Sequence, residues 1–384
     1  MARDPILVVI FLRGGADGLG LISPASDPDF IAARPEDLRV LRSGDGAGRA
    51  LRQGVADVDF RFHRAAGALA DLYDAGDLSV IHAAGLPEAT RSHFDAEARI
   101  ERGLFGGTLP PGDPSGWIGR WLAAEGPGGP MPALAVGAMR PASLLGASAA
   151  VAESLGDLML GQGNWLAPAL RARLEAGFGD HGPLARPMAD LIGLSDMVGS
   201  RLWSDQTGAM RDYIPAQDYP EGNPVSAPLK TVAQAIKEDL GLRVATVDVP
   251  GWDTHVAQAS QFTQLTGWLA DGVMAFWRDL GPFQQDVSVV VMSEFGRRLR
   301  SNTGGGTDHG RGNVMLVLGP QERGGRMVGR WPGLAHDALE EGADLAVVTD
   351  YRAVLAELLA GHMRLGDPAA VFPGYAPRPL GLWG

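Results

Sequence analysis

The sequence runs to 384 residues, 45% of them hydrophobic, and carries 33 Lys and Arg against 45 Asp and Glu, a net charge of −12. That balance speaks against a nucleic-acid or anionic-membrane partner, because such surfaces reward clustered positive charge. With no cysteine there are no disulfides, thiolate metal sites or cysteine nucleophiles, and no stretch of about 18 apolar residues is present to cross a membrane.

In chain order, the first element is "ILVVIFL" (6–12), a continuous apolar run rich in β-branched residues that predicts a strand buried on both faces. It is short and ends in Arg13-Gly14-Gly15, so it reads as a strand entering a loop and not as the apolar stretch of a signal peptide. The expected location is therefore cytoplasmic. "RFHRAAGALADLYDAG" (61–76) has helical spacing and stops at Gly76, and "LSVIHAAG" (78–85) is a second strand. "PEATRSHFDAEARIERG" (87–103) reads as a loop opening a helix, with Thr90 or Ser92 at the N-cap.

From about 107 to 235 the rhythm is broken by "GGTLPPGDPSG", "EGPGGPMPA" and "YPEGNPVSAP", which predicts an inserted, cap-like region within a single domain spanning 1–384. Strand and helix then alternate again. "LRVATVDV" is a strand, and "QFTQLTGWLADGVMAFWRDL" is an amphipathic helix with Phe262, Leu265, Leu269, Val273 and Phe276 on one stripe. "DVSVVVMSEFG" and "NVMLVLG" are further strands, and "TDYRAVLAELLAGH" is a closing helix capped by Thr349 or Asp350. The pattern predicts an α/β fold with a mostly parallel central sheet. His63 and His82 fall inside helix and strand patterns and are expected to pack, not to bind.

Ligands of open parallel sheets gather beyond the carboxyl ends of the strands, so the residues there are the ones to read. They are "RGGADGLG", "LPEATRSHFD", "GWDTH", "SEFGRR" and, ahead of "VMLVL", "GTDHGRGN". Asp17, Asp253, His255, Glu294, Asp308 and His309 supply four carboxylates and two imidazoles, donors suited to zinc or a hard divalent cation. They suffice for one closed site, or for two metals sharing ligands about 3.5–4 Å apart. Ser92 heads a helix whose free N–H groups face an incoming anion. Arg297 is placed to clamp that anion bidentately, and Arg13, Arg91 and His93 border the same edge as candidate substrate contacts.

Together, "FLRGGADGLG", "RSHFDAE", "GWDTH", "SEFGRR", "GTDHGRGN" and "VTDYRAVLAELL" resemble, in this order, the DUF1501 family of the alkaline phosphatase and sulfatase superfamily, from Ile6 to about Pro373. The resemblance implies an alkaline-phosphatase-like α/β/α sandwich with metals and a Ser, Thr or modified-Cys nucleophile at the carboxyl edge of the sheet. It implies a bridging ligand role for Asp17, the nucleophile position for Ser92 and the last ligand histidine for His309, beside Asp308. Asp253 and His255 resemble the superfamily's Asp and His pair, with one residue between them where three are usual. Glu294-Phe295 stands where Asp-His is common, so a phenylalanine replaces a ligand imidazole.

The implied cofactor is one or two divalent ions among zinc, manganese, magnesium and calcium. The implied substrate is a small anionic ester. Phosphate ranks above sulfate, because "SHFDA" lacks the C/S-x-P/A-x-R context of sulfatases. The family resemblance leaves an exported, periplasmic location open. Two other readings of the same residues are a metal-free hydrolase pairing Ser92 with His93, His255 or His309, and a catalytically inactive binding or assembly protein that inherited the fold.

Overall fold

The computed structural model describes residues 3–104, 113–126, 129–161, 166–178, 182–320 and 324–383. Parts of the first two turn-rich runs, residues 105–112 and 127–128, lie outside the described residues.

The apolar runs form one sheet, as their composition requires. Its strands are β1 (Ile6–Leu12), β2 (Leu78–Gly85), β3 (Ala133–Val136), β4 (Ala149–Ala152), β5 (Val244–Val249) and β6 (Val287–Met292). Beyond a separate ribbon of β7 (Arg297–Ser301) and β8 (Thr307–His309) come β9 (Asn313–Leu318) and two short edge pieces, β10 (Met327–Val328) and β11 (Thr349–Asp350). The order across the sheet is β10-β2-β9-β6-β1-β5-β3-β4, with β11 pairing β2. All pairs are parallel except those that β9 makes with β6 and β2.

Every residue of β1 is buried, because helices cover both faces of the sheet. On one face Val8, Ile10 and Leu12 pack with α1 (Gly67–Ala75), α5 (Ser226–Lys237) and α6 (Gln258–Leu280). On the other, Leu7, Val9 and Phe11 pack with α2 (His93–Arg102), α3 (Trp117–Glu125) and α7 (Tyr351–Gly361). The result is the expected α/β/α sandwich. Gly76 ends α1 in the left-handed conformation, and Asp350 caps α7 by accepting from the Arg352 N–H at 2.9 Å. Of the stripe on α6, Phe262, Leu269, Val273 and Phe276 are buried, while Leu265 is half-buried.

The span expected as an inserted cap contributes to the core. β3 and β4 extend the central sheet, the Trp117 and Trp121 side chains of α3 are fully buried, and α5 packs on α6. Helix α4 (Ala185–Leu202) adds Val198 and Leu202 to the same core. His82 packs as expected: its ring is buried, its Nε2 meets the Ile22 carbonyl at 2.9 Å, and burial lowers its pKa to about 4. His63 caps a short turn, its Nδ1 accepting from the Ala65 N–H.

Candidate metal centre

The sheet topology brings the five polar segments to one edge. Strands β1, β2, β5 and β6 all point the same way, so the segments after Leu12, Gly85, Val249 and Met292 emerge together. β9 runs the other way, so the segment before it, which carries His309, returns to that edge.

Two glycines let the backbone close in. Gly14 has φ +117°, and a Cβ there would lie 2.5 Å from the Asp253 nitrogen; a Cβ on Gly306 would lie 2.4 Å from the carbonyl oxygens of Thr254 and His255.

At the centre is Asp253. Its Oδ1 lies 3.1 Å from His255 Nε2 and 3.0 Å from His309 Nε2, and those two nitrogens are 2.9 Å apart. His93 Nε2 is 3.6 Å from Asp253 Oδ2. The partners of the other ring nitrogens fix what these atoms carry. His255 Nδ1 donates to Asp308 Oδ1 at 3.0 Å, His309 Nδ1 to the Arg91 carbonyl at 2.8 Å, and His93 Nδ1 to Glu294 Oε1 at 2.7 Å. All three partners only accept, so each imidazole holds its proton at Nδ1, and a neutral ring then offers a lone pair at Nε2. Three lone pairs and a carboxylate thus converge with no imidazole N–H between them.

That arrangement fits a cation. Ligand atoms around a tetrahedral zinc, bonded at about 2.0–2.1 Å, lie roughly 3.3 Å from one another; Asp253 lies 3.0–3.6 Å from the three Nε2 atoms, and those of His255 and His309 are 2.9 Å apart. His93 Nε2 is buried with no hydrogen-bond partner, an orphaned polar atom that a cation would satisfy. His93, Asp253 and His309 can bring one ligand atom each to within 4.8 Å of one another. A histidine whose second nitrogen is held by a carboxylate or carbonyl is the usual form of a metal-bound histidine.

The structure distributes the expected roles differently. Asp17 does not reach the cluster: its carboxylate is fully buried, paired with Arg34 at 2.5 and 3.0 Å, and also accepts from Gln258 at 2.7 Å and the Gly20 N–H at 3.1 Å. Burial pushes its pKa up, but Arg34 and these hydrogen bonds outweigh it and hold the pKa below the ordinary value. Glu294 and Asp308, expected as ligands, instead hold imidazoles. Glu294 is buried and also accepts from the Gly14 N–H at 2.8 Å and the Ser293 hydroxyl at 2.9 Å; Asp308 also accepts from Asn302 at 2.9 Å.

His93, expected to touch substrate, instead turns its Nε2 toward Asp253, at 3.6 Å from Oδ2. Its ring lies against Phe295, with centroids 4.9 Å apart, so this phenylalanine forms an apolar wall beside the cluster.

The arginines are also used internally. Arg297 is buried, and its guanidinium donates to the carbonyls of Gly15, Thr307, Gly14 and Trp252 and to Asp253 Oδ1 at 2.7 Å. It is not open to clamp an anion; it orients Asp253. Despite its burial, the Asp253 carboxyl is held below its ordinary pKa by its hydrogen bonds, among them the one it accepts from Arg297. Arg91 pairs with Asp344 at 2.5 Å and Glu341 at 2.7 Å, which anchors the segment whose carbonyl orients His309. Arg13 pairs with Glu101, with Asp248 at 3.0 Å and with Glu97 at 3.5 Å. Ser92 is the N-cap residue of α2, exposed and immediately before His93, and its hydroxyl makes no capping hydrogen bond.

Sequence reading missed Arg34 and Gln258, whose partner Asp17 lies 17 and 241 positions away, and Asn302, which sits six residues before Asp308. For His93 a signal was present: a histidine in the first turn of a helix at the carboxyl edge.

Glu294→Gln tests the assignment of His93. Without the carboxylate, that imidazole is less basic and its tautomer is no longer fixed, so metal affinity measured by titration calorimetry is expected to fall about 10–100-fold. Unchanged affinity would remove His93 from the ligand set.

The class these features define is a three-layer α/β/α domain with a His/Asp metal-type cluster at the carboxyl edge of a mostly parallel sheet. Residues 223–374 match the family model DUF1501, "Protein of unknown function", as the motifs led one to expect. The matched span contains Asp253, His255, Glu294, Arg297, Asp308 and His309, but not Ser92 or His93.

No curated protein matches the sequence. Among solved structures, the chain is similar to the zinc complex of the C-terminal periplasmic domain of EcEptC from Escherichia coli, at 8% identity and TM-score 0.38, covering 84% of this chain and 74% of that one. It is also similar to the alkaline phosphatase of the Antarctic bacterium TAB5, at 10% identity and TM-score 0.35, covering 83% and 93%. A third is the phosphonate monoester hydrolase of Agrobacterium radiobacter, at 11% identity and TM-score 0.36, covering 85% and 70%. Likenesses at these scores do not fix an activity. Among the described residues, no helix is long and apolar enough to cross a membrane.

Proposed function

We propose that this protein is a metal-dependent hydrolase of phosphate esters or related anionic esters. One observation carries the reading: three imidazole Nε2 atoms and the Asp253 carboxylate converge, with every Nδ1 held by an acceptor. His93, Asp253, His255 and His309 would hold the ion, which would have to take an ester oxygen as a further ligand to act on it. Three nitrogens and one carboxylate favour zinc or a similar borderline ion over calcium or magnesium, which prefer all-oxygen sites. The internal pairing of Asp17 and Glu294 favours one ion over two.

When bound, the ion supplies Lewis-acid stabilisation of charge on the ester's oxygens. The chain's own residues do the rest. Arg297 holds Asp253 in place, Asp308 and Glu294 hold the imidazoles, and Ser92, exposed at the start of α2 beside His93, presents its hydroxyl to the ester. In this reading Ser92 is the nucleophile, and the helix N–H groups around it favour the anion.

A panel of phosphate, phosphonate and sulfate esters, assayed with zinc-loaded protein and with chelator-dialysed protein, tests the reading. Turnover is expected in the loaded protein alone, with phosphorus esters ahead of sulfate. Ser92→Ala is expected to lower kcat about 1000-fold or more with metal content unchanged, the scale of losing a covalent nucleophile. Full activity in that variant would make water the nucleophile. A metal-free serine hydrolase would be indifferent to the chelator. An inherited fold without chemistry, the reading that the Phe295 replacement favours, would turn over no ester.

A further inference from the structure

The charge around the cluster narrows the substrate class. The three arginines expected to meet an anion are each committed: Arg297 to Asp253 and four carbonyls, Arg91 to Asp344 and Glu341, and Arg13 to Glu101, Asp248 and Glu97, while Arg298 lies 3.7 Å from Asp344. Three carboxylates touch the imidazoles, namely Asp253, Glu294 and Asp308. A divalent ion would bring two positive charges and Arg297 a third, which these carboxylates cancel. No surplus positive charge remains, so a phosphate monoester dianion, with its second negative charge, fits less well than a monoanion, and in a partly buried site such an imbalance is weakly screened.

Two of the neighbouring exposed side chains are large and apolar. Phe94, directly after His93, is 88% exposed, and Val256, directly after His255, is 63% exposed. Large apolar side chains in water beside a polar cluster offer a surface to the organic part of an ester.

We propose that this centre selects monoanionic phosphodiesters with an apolar organic group over dianionic monoesters, with Phe94 as a specificity-determining contact. The proposal rests on the metal-dependent hydrolase reading. Hydrolysis of such a diester uses one water, breaks one P–O bond, and releases an alcohol, a monoester dianion and a proton. The same charge balance that disfavours a dianion as substrate then favours its release as product.

Competition binding to zinc-loaded protein at about pH 8, where a monoester is fully ionised, tests this apart from turnover. The probes are methyl phenyl phosphate and phenyl phosphate, which share the aryl group and differ by one charge, with dimethyl phosphate as the apolar control. The diester is expected to bind about tenfold more tightly than the monoester. Phe94→Ala is expected to weaken methyl phenyl phosphate about fivefold and dimethyl phosphate less than about twofold. Equal or tighter binding of phenyl phosphate overturns the proposal, as does an unchanged diester affinity in Phe94→Ala. The 4-nitrophenyl diester and monoester, assayed in parallel, separate the two readings. Preferential diester binding with no turnover of either ester overturns the hydrolase reading and upholds the selectivity; turnover without preference does the reverse.

Discussion

His255→Ala is expected to reduce bound divalent metal from about one equivalent to almost none after dialysis, while the chelator-treated variant melts within a degree or two of the chelator-treated parent. The imidazole is part-exposed, so its removal leaves no buried polar group stranded, and its Nε2 is 3.1 Å from Asp253 and 2.9 Å from His309. Losing one of four donors costs several orders of magnitude in affinity. Elemental analysis measures the metal and calorimetry the melting. Metal retained at the parental level would place the ion elsewhere. Asp253→Asn is the less clean choice, because it also leaves the buried Arg297 guanidinium without a charged partner, and an uncompensated buried charge costs about 3–5 kcal/mol.

Asp17→Asn is expected to do the opposite: to lose stability and keep metal. Arg34 and Asp17 are both fully buried and pair through two hydrogen bonds, so neutralising one strands the other, at about 3–5 kcal/mol. The denaturation midpoint should fall accordingly, and the double variant Asp17→Leu/Arg34→Met should recover much of the loss. The pH dependence has a definite sign. The folded pKa of Asp17 lies below its ordinary value of 3.8, so its contribution is complete above about pH 4 and is lost as pH falls through the lower folded value. The stability gap between parent and double variant should therefore change only in acid. If Asp17→Asn instead strips the metal at neutral pH, the carboxylate is a ligand after all, as the family resemblance implied.

The layers of the fold were legible because strands buried on both faces leave continuous apolar runs, as β1 and β6 do, and α6 leaves a stripe. The edge on which the polar segments meet followed from strand direction. What sequence could not supply was the division of labour among the polar residues. Asp308 and Glu294 have the same chemistry as any ligand carboxylate, and only their distances to His255 and His93 make them holders of imidazoles. The same holds for Arg297, whose neighbours in space lie at positions 14, 15, 252, 253 and 307. β3 and β4, short and alanine-rich, carried too little signal to stand out from the turns around them.

The four residues proposed to hold the ion come from distant parts of the chain. Asp253, His255 and His309 come from the stretch that matches the family model, while His93 comes from the β2–α2 connection, far earlier in the chain. An ion held by all four would act as a removable cross-link, closing a ring that runs through most of the sheet and pinning the start of α2 to the loop after β5. The stabilisation from such a link grows with free metal, reaching about 4 kcal/mol at a thousand times the dissociation constant. The resistance of this edge to unfolding and proteolysis would then be set by metal supply, with the segment carrying Ser92 among the first to loosen when the ion leaves.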